Sequence, residues 1–259
     1  MEEYNNMKEI YFSPSGTTRA IVNEITKYFS RKKEVYDLLK NPLKEEITFG
    51  KEDFLVVGTP VYAGRIPSVC AEMLSKIKGD NTPVIAVVVY GNREYEDSLL
   101  ELKTILEENG FIVISAGAFI SQHSIFPGVG YLRPDVKDKQ EARKFAIESC
   151  KKFEAVSDIT GMSIEVKGNF PYKEPGKIPL GLLVEKNCKK CGLCADICPV
   201  KAISRDHPGK IDRDLCIMCT ACFHVCPLNC RKFHGFRYAL AGKIFEKKFS
   251  QRKRPEVFL

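Results

Sequence analysis

The chain has 259 residues, of which 44% are hydrophobic and 28% charged, with a formal net charge of +7, eleven cysteines and no tryptophan. That length suits one domain of ordinary size and a small companion, and no run is apolar over the roughly 18 residues that a membrane-spanning helix needs. The opening stretch, MEEYNNMKEI, has neither the basic start nor the apolar run of a signal peptide, so the thiols are expected to sit reduced in the cytoplasm rather than in a disulfide scaffold.

From the amino terminus, strand-like and helix-like runs alternate as a parallel α/β sheet requires. KEIYFS reads as a buried strand, and Ile21, Ile25, Tyr28 and Phe29 share one helical face after it. A short strand is expected near Glu34 to Asp37. DFLVVGT is the next strand, with a helix through Cys70, Met73, Leu74 and Ile77. PVIAVVVYG is continuously apolar, as in a strand buried on both faces. A helix from Tyr95 to Asn109 stops at Gly110, FIVISAGAF gives the fifth strand, and a last helix carries Ala142, Phe145, Ala146 and Cys150. The expected fold of residues 1–157 is a doubly wound five-stranded parallel sheet, in which ligands bind beyond the carboxyl ends of the strands.

At the end of the first strand lies Ser13-Pro14-Ser15-Gly16-Thr17-Thr18. Its hydroxyls, a glycine that lets backbone N–H groups approach, and the helix start that follows would make a cradle for a phosphate monoester. The GxxxxGK[ST] pattern of nucleoside triphosphatases is absent. Alone, the loop could equally be a turn that caps the helix. Ser13, Ser15, Gly16 and Thr18 match the T/S-x-T-G-x-T phosphate loop of flavodoxins, with serine in place of threonine at Ser15, and in element order residues 1–157 resemble that family. The resemblance implies FMN as cofactor. It also implies that the loops after the third and fourth strands, Thr59-Pro60-Val61-Tyr62-Ala63-Gly64-Arg65 and Tyr90-Gly91-Asn92-Arg93-Glu94-Tyr95, flank the flavin ring, with Tyr62 and Tyr95 expected to stack on it.

Residues 158–180 contain Gly161, Gly168, Gly176, Pro171, Pro175 and Pro179 without helical period and read as a connector. Beyond it, eight of the cysteines fall in two copies of one pattern, Cys188-x-x-Cys191-x-x-Cys194-x-x-x-Cys198-Pro199 and Cys216-x-x-Cys219-x-x-Cys222-x-x-x-Cys226-Pro227. Zinc sites also use CxxC pairs, but two runs of four cysteines exceed the four ligands of one zinc ion and no histidines stand at finger spacing. The spacing resembles that of bacterial ferredoxins, which implies a small α+β domain at 181–230 with two 4Fe-4S clusters. In that family the fourth cysteine of each run serves the other cluster. Cys188, Cys191, Cys194 and Cys226 would then hold one, and Cys216, Cys219, Cys222 and Cys198 the second. Cys70 and Cys150 read as core residues and Cys230 as a bystander. The order of the two halves resembles the fused EFR1-family ferredoxins of anaerobes.

Residues 231–259 hold nine Lys/Arg and two Glu, while 31 charges of each sign precede them. This basic tail, rich in Phe, is expected to form a helix folded over the front domain; nothing else in the chain supports nucleic-acid binding. Two function classes fit. One is an electron carrier between redox partner proteins, relaying low-potential electrons between two clusters and FMN. The other is a flavin-dependent reductase of a small molecule, for which His123 beside Ser124 would be a proton donor. No nicotinamide fingerprint follows a strand, since Gly128-Val129-Gly130 fails the pattern.

Overall fold

The computed structural model describes residues 6–29, 32–176 and 180–259. Strand β1 (Met7–Tyr11) runs into helix α1 (Thr17–Phe29), followed by β2 (Glu34–Asp37), β3 (Ile47–Phe49), β4 (Phe54–Pro60), α2 (Ser68–Leu74), β5 (Ile77–Gly79), β6 (Thr82–Tyr90), α3 (Ser98–Glu108), β7 (Phe111–Ile120) and α4 (Val136–Glu154). Strands β2, β1, β4, β6 and β7 lie side by side in that order, all parallel. This is the flavodoxin-like doubly wound order, with the chain reversing direction across the sheet beside β1.

Every residue of β4 and β6 is buried, which is why neither shows polar alternation. On one face Ile21, Val22, Ile25 and Phe29 of α1 meet Ala142, Phe145 and Cys150 of α4 over Met7, Val56, Ile85 and Val87. On the other, Cys70, Met73 and Leu74 of α2 and Leu99, Leu102 and Leu106 of α3 cover Ile10, Leu55, Val57, Val84 and Val88. Burying each such side chain contributes about 1.5–3 kcal/mol. Gly58 sets how deeply α1 seats, since a Cβ there would fall 2.2 Å from the Val22 side chain.

Three features depart from the expected layout. Ile77 does not continue the helix of Cys70 but starts β5, which pairs with β3 in a separate two-stranded sheet. Tyr95 precedes α3 instead of opening it. The sheet also has a sixth strand, because β10 (Glu256–Phe258) adds antiparallel to the edge of β7.

In the cysteine-rich unit β8 (Gly181–Val184) pairs antiparallel with β9 (Arg231–His234) around two short helices, α5 (Leu193–Asp196) and α6 (Ala221–His224). This pairing carries the unit past residue 230 to His234. Helix α7 (Phe236–Phe249) follows and packs on the front domain: Tyr238 and Phe245 lie against Phe126, and the Tyr238 hydroxyl donates to the Ile125 carbonyl at 2.9 Å.

The connector is docked, not loose. Asp97, 2% exposed, accepts from the Asn169 backbone at 2.9 Å and the Lys173 backbone at 2.7 Å, and Arg65 donates to the Lys173 carbonyl. Pro179 lies outside the described residues. Among the described residues no helix is long and apolar enough to cross a membrane.

Candidate redox site

The phosphate loop links the end of β1 to α1. Ser13 accepts from the Arg19 backbone N–H at 3.0 Å through its Oγ, and Ser15 and Thr17 share a hydrogen bond of 2.9 Å. Gly16 has a φ of +81°, which places its neighbours' backbone around the helix start. No acidic residue occupies the first turn of α1, so its positive end is uncompensated. Thr18 and, at the end of β4, Thr59 bury hydroxyls that have no hydrogen-bond partner. The two lie close together, since the Thr18 methyl flanks Gly58. Buried hydroxyls without partners are uncommon in a finished fold. Thr59 stands at the carboxyl end of β4 and Thr18 in the first turn of α1, and this donor set fits a phosphate monoester such as that of FMN.

After Thr59, Pro60 ends β4, and the Val61 N–H donates to Val89 at 3.0 Å. Tyr62 and Arg65 then exchange backbone hydrogen bonds of 2.8 and 3.1 Å around a turn with Ala63 at φ 52° and Gly64 at φ 89°. Gly64 presses on Glu96, where a Cβ would come within 1.8 Å of the carboxylate. Tyr62 is half-buried. Its hydroxyl is 3.5 Å from the backbone carbonyl of Cys219, in the other domain. Burial, then the neighbouring Cys219 and Cys70 sulfurs, pushes the phenol well above its ordinary pKa.

The loop after β6 is different. Tyr95 is 0% exposed, lies 5.5 Å from the buried Tyr90 ring, and donates to Glu256 of β10 at 2.7 Å. With no open face it cannot stack on a flavin, so the expectation for Tyr95 is corrected, and the same burial removes Tyr90. Asn92 uses its whole amide on the tail and its anchor. Its nitrogen donates to the carbonyls of Phe249 and Gln251 at 2.8 and 2.9 Å, and its oxygen accepts from Arg133 at 3.1 Å and the Lys253 backbone at 3.3 Å. Gly91 packs on His123. The His123 Nδ1 accepts from the Ile125 and Phe126 backbones at 3.2 and 3.1 Å, and burial, then Arg93, lowers its pKa to about 4. At neutral pH this imidazole is uncharged and serves as a loop cap.

The cysteines fall into two sets. Cys188, Cys191, Cys194 and Cys226 line one cavity of about 250 Å³, together with Cys230 and Arg231. Cys198, Cys216, Cys219 and Cys222 line a second, narrower one walled by Val200, Ile211, Phe223 and Phe233. Cys198 and Cys226 each line the cavity of the other run, across the contact between α5 and α6. Four thiols spaced around each cavity suit a polynuclear core. Burial pushes the Cys219 and Cys222 thiols up to about 12; forming thiolates there needs a positive partner, which bound iron would supply. For Cys226 burial acts the same way, but N–H groups of Cys230, at 3.3 Å, and Leu228 outweigh it and lower the thiol pKa.

The two runs also repeat their backbone. Lys190, Gly192 and Lys201 have left-handed φ values of 53°, 84° and 53°, and Met218, Thr220 and Asn229 at the equivalent places have 57°, 63° and 49°. Sequence reading passed over Thr220, although aligning the two runs sets it opposite Gly192.

A family model for a 4Fe-4S dicluster domain matches residues 168–231. In solved structures, the chain is similar to a flavodoxin from the domain Archaea (18% identity over 57% of this chain and 99% of that one, TM-score 0.40) and to flavodoxin 2 from Bacillus cereus (16%, over 57% and 99%, TM-score 0.42). It is likewise similar to a Fusobacterium nucleatum flavodoxin bound to flavin mononucleotide (16%, over 56% and 97%, TM-score 0.38). No curated protein matches it.

Proposed function

We propose that this fusion of a flavodoxin-like α/β domain with a 4Fe-4S dicluster domain is an electron-transfer protein, relaying low-potential electrons between two 4Fe-4S clusters and FMN within one chain. One observation carries the reading: Tyr62, in a loop at the flavin-binding end of the sheet, touches the backbone of Cys219, in the wall of a cluster cavity. Bound FMN and iron–sulfur clusters supply one-electron chemistry. The chain's residues do the rest. Ser13, Ser15, Gly16, Thr17 and Thr18 would hold the phosphate, and the loop from Thr59 to Gly64 would set one side of the ring. The two sets of four cysteines would each ligate one cube. The docked connector keeps the 59–65 loop and the dicluster unit together, so transfer need not await a collision. Cys191 is exposed, which supports the Cys188/Cys191/Cys194/Cys226 centre as the one facing a partner protein. The reductase reading loses its candidate acid, because His123 is neutral and its Nδ1 is taken up by the Ile125 and Phe126 N–H groups.

Anaerobic reconstitution is expected to give roughly eight iron atoms with matching labile sulfide and one FMN per chain. In electron paramagnetic resonance of the reduced protein, Cys226→Ser should damage the same centre as Cys188→Ala, and Cys222→Ala the other. Bound zinc without sulfide, or Cys226 grouping with Cys222, would contradict the reading.

A further inference from the structure

Arg231 opens β9, immediately after the last cysteine, and is only 4% exposed. Its Nη2 donates to the Cys194 sulfur at 2.9 Å and to the Pro208 carbonyl, while Nη1 is buried with no partner. Glu185, at the end of the facing strand, is already paired with Lys232 at 2.7 Å, and among the described residues no carboxylate pairs with Arg231. A guanidinium stays charged throughout the working pH range, and leaving one buried and unpaired costs several kcal/mol. The thiols beside it belong to the first set. Arg231 lines the cavity of Cys188, Cys191, Cys194 and Cys226. Cys194, the sulfur it bonds, packs in one cluster with Cys198, Cys216 and Cys222 of the other set, so the guanidinium stands one side chain away from that set as well.

We propose that Arg231 is a potential-setting residue shared by both iron–sulfur centres, raising both reduction potentials and that of the Cys188/Cys191/Cys194/Cys226 centre more. This rests on the reading of the two cysteine sets as 4Fe-4S sites. A cluster held by four thiolates is anionic and gains one further negative charge on reduction. A fixed cation in a low-dielectric wall therefore stabilises the reduced form more than the oxidised one, and a hydrogen bond to a ligand sulfur acts in the same direction. Arg231 offers both effects to the first centre and charge alone to the second. Its orphaned Nη1 shows that protein groups do not satisfy the guanidinium by themselves.

The test is a redox titration of the full chain followed by electron paramagnetic resonance, with iron and sulfide counts for each variant. Arg231→Gln should keep both centres and shift the reduction equilibrium of the first at least tenfold toward the oxidised form, about 59 mV for one electron, with a smaller shift of the same sign in the second. Arg231→Lys, which keeps the charge without the planar fork, should hold the second centre near its original potential and the first between the two extremes. Intact clusters with unchanged potentials in Arg231→Gln would overturn the proposal, as would Arg231→Lys matching Arg231→Gln in both centres. If the variants fail to assemble, the unmutated chain still decides. With isotope-labelled arginine nitrogens, electron–nuclear double resonance of the reduced first centre should show a guanidinium coupling, and its absence would overturn the hydrogen bond. Absence of labile sulfide and of cluster signals in the unmutated protein would instead strike the reading of the sites themselves.

Discussion

In the first cysteine loop Cys191 is exposed and Lys189 and Lys190 stand at the cavity wall, whereas in the second Cys219 is buried under the Tyr62 hydroxyl and shares its cavity with Phe223 and Phe233. The two loops have the same cysteine spacing and the same left-handed backbone positions, so the motif dictates ligand chemistry and loop shape. What each loop touches is decided by elements outside it: the β9 strand that brings Arg231, and the 59–65 turn that brings Tyr62. One sequence pattern thus builds one loop that exposes a cysteine to solvent and one pressed against the front domain.

The largest contrast is expected in accessibility. Under a chelator or controlled exposure to oxygen, the centre that includes Cys191 should lose its paramagnetic signal several-fold faster than the centre that includes Cys219. Equal loss, or loss of the second first, would break the comparison. A smaller effect separates the loops at one backbone position. Gly192 sits at φ 84° with Arg205 beside it, and a side chain in that conformation costs about 1–2 kcal/mol, so Gly192→Ala should destabilise the dicluster unit by roughly that much. Thr220 already bears such strain at φ 63° and buries an unpartnered hydroxyl. Thr220→Gly should therefore be neutral or stabilising by about 1 kcal/mol. Urea unfolding of the holoprotein checks both, and losses of equal size would sharpen nothing and deny the strain at Thr220.

The five parallel strands and the two cysteine runs were legible in the sequence because each rests on local signals, continuous apolar runs such as that of β6 or fixed ligand spacing, whereas the exchange of Cys198 and Cys226 between the runs was implied only by the resemblance to ferredoxins. Tyr95 was misread, and the engagement of Asn92 with the tail was not foreseen, because their partners are remote. Glu256 lies 161 positions from Tyr95, and Phe249 lies 157 from Asn92. No periodicity in β10 announces it either, since three residues, two of them exposed, carry no pattern. The basic tail was expected to fold over the front domain as a helix, and α7 does pack there. That its last residues extend the sheet could not be read from charge. Arg231 was counted with the tail because nothing local distinguishes a buried arginine from its solvated neighbours; its position beside Cys230 was the available hint.

The most direct test of the account follows flavin absorbance in an anaerobic stopped-flow instrument, with a low-potential donor and the full chain loaded with clusters and FMN. Intact protein is compared with Cys216→Ala/Cys222→Ala, which removes the centre beside Tyr62 and leaves the phosphate loop untouched. The account predicts rapid flavin reduction in the intact chain and loss of that fast phase in the variant, with FMN content unchanged. The same fast phase in both would contradict a relay that reaches the flavin through the centre beneath Tyr62.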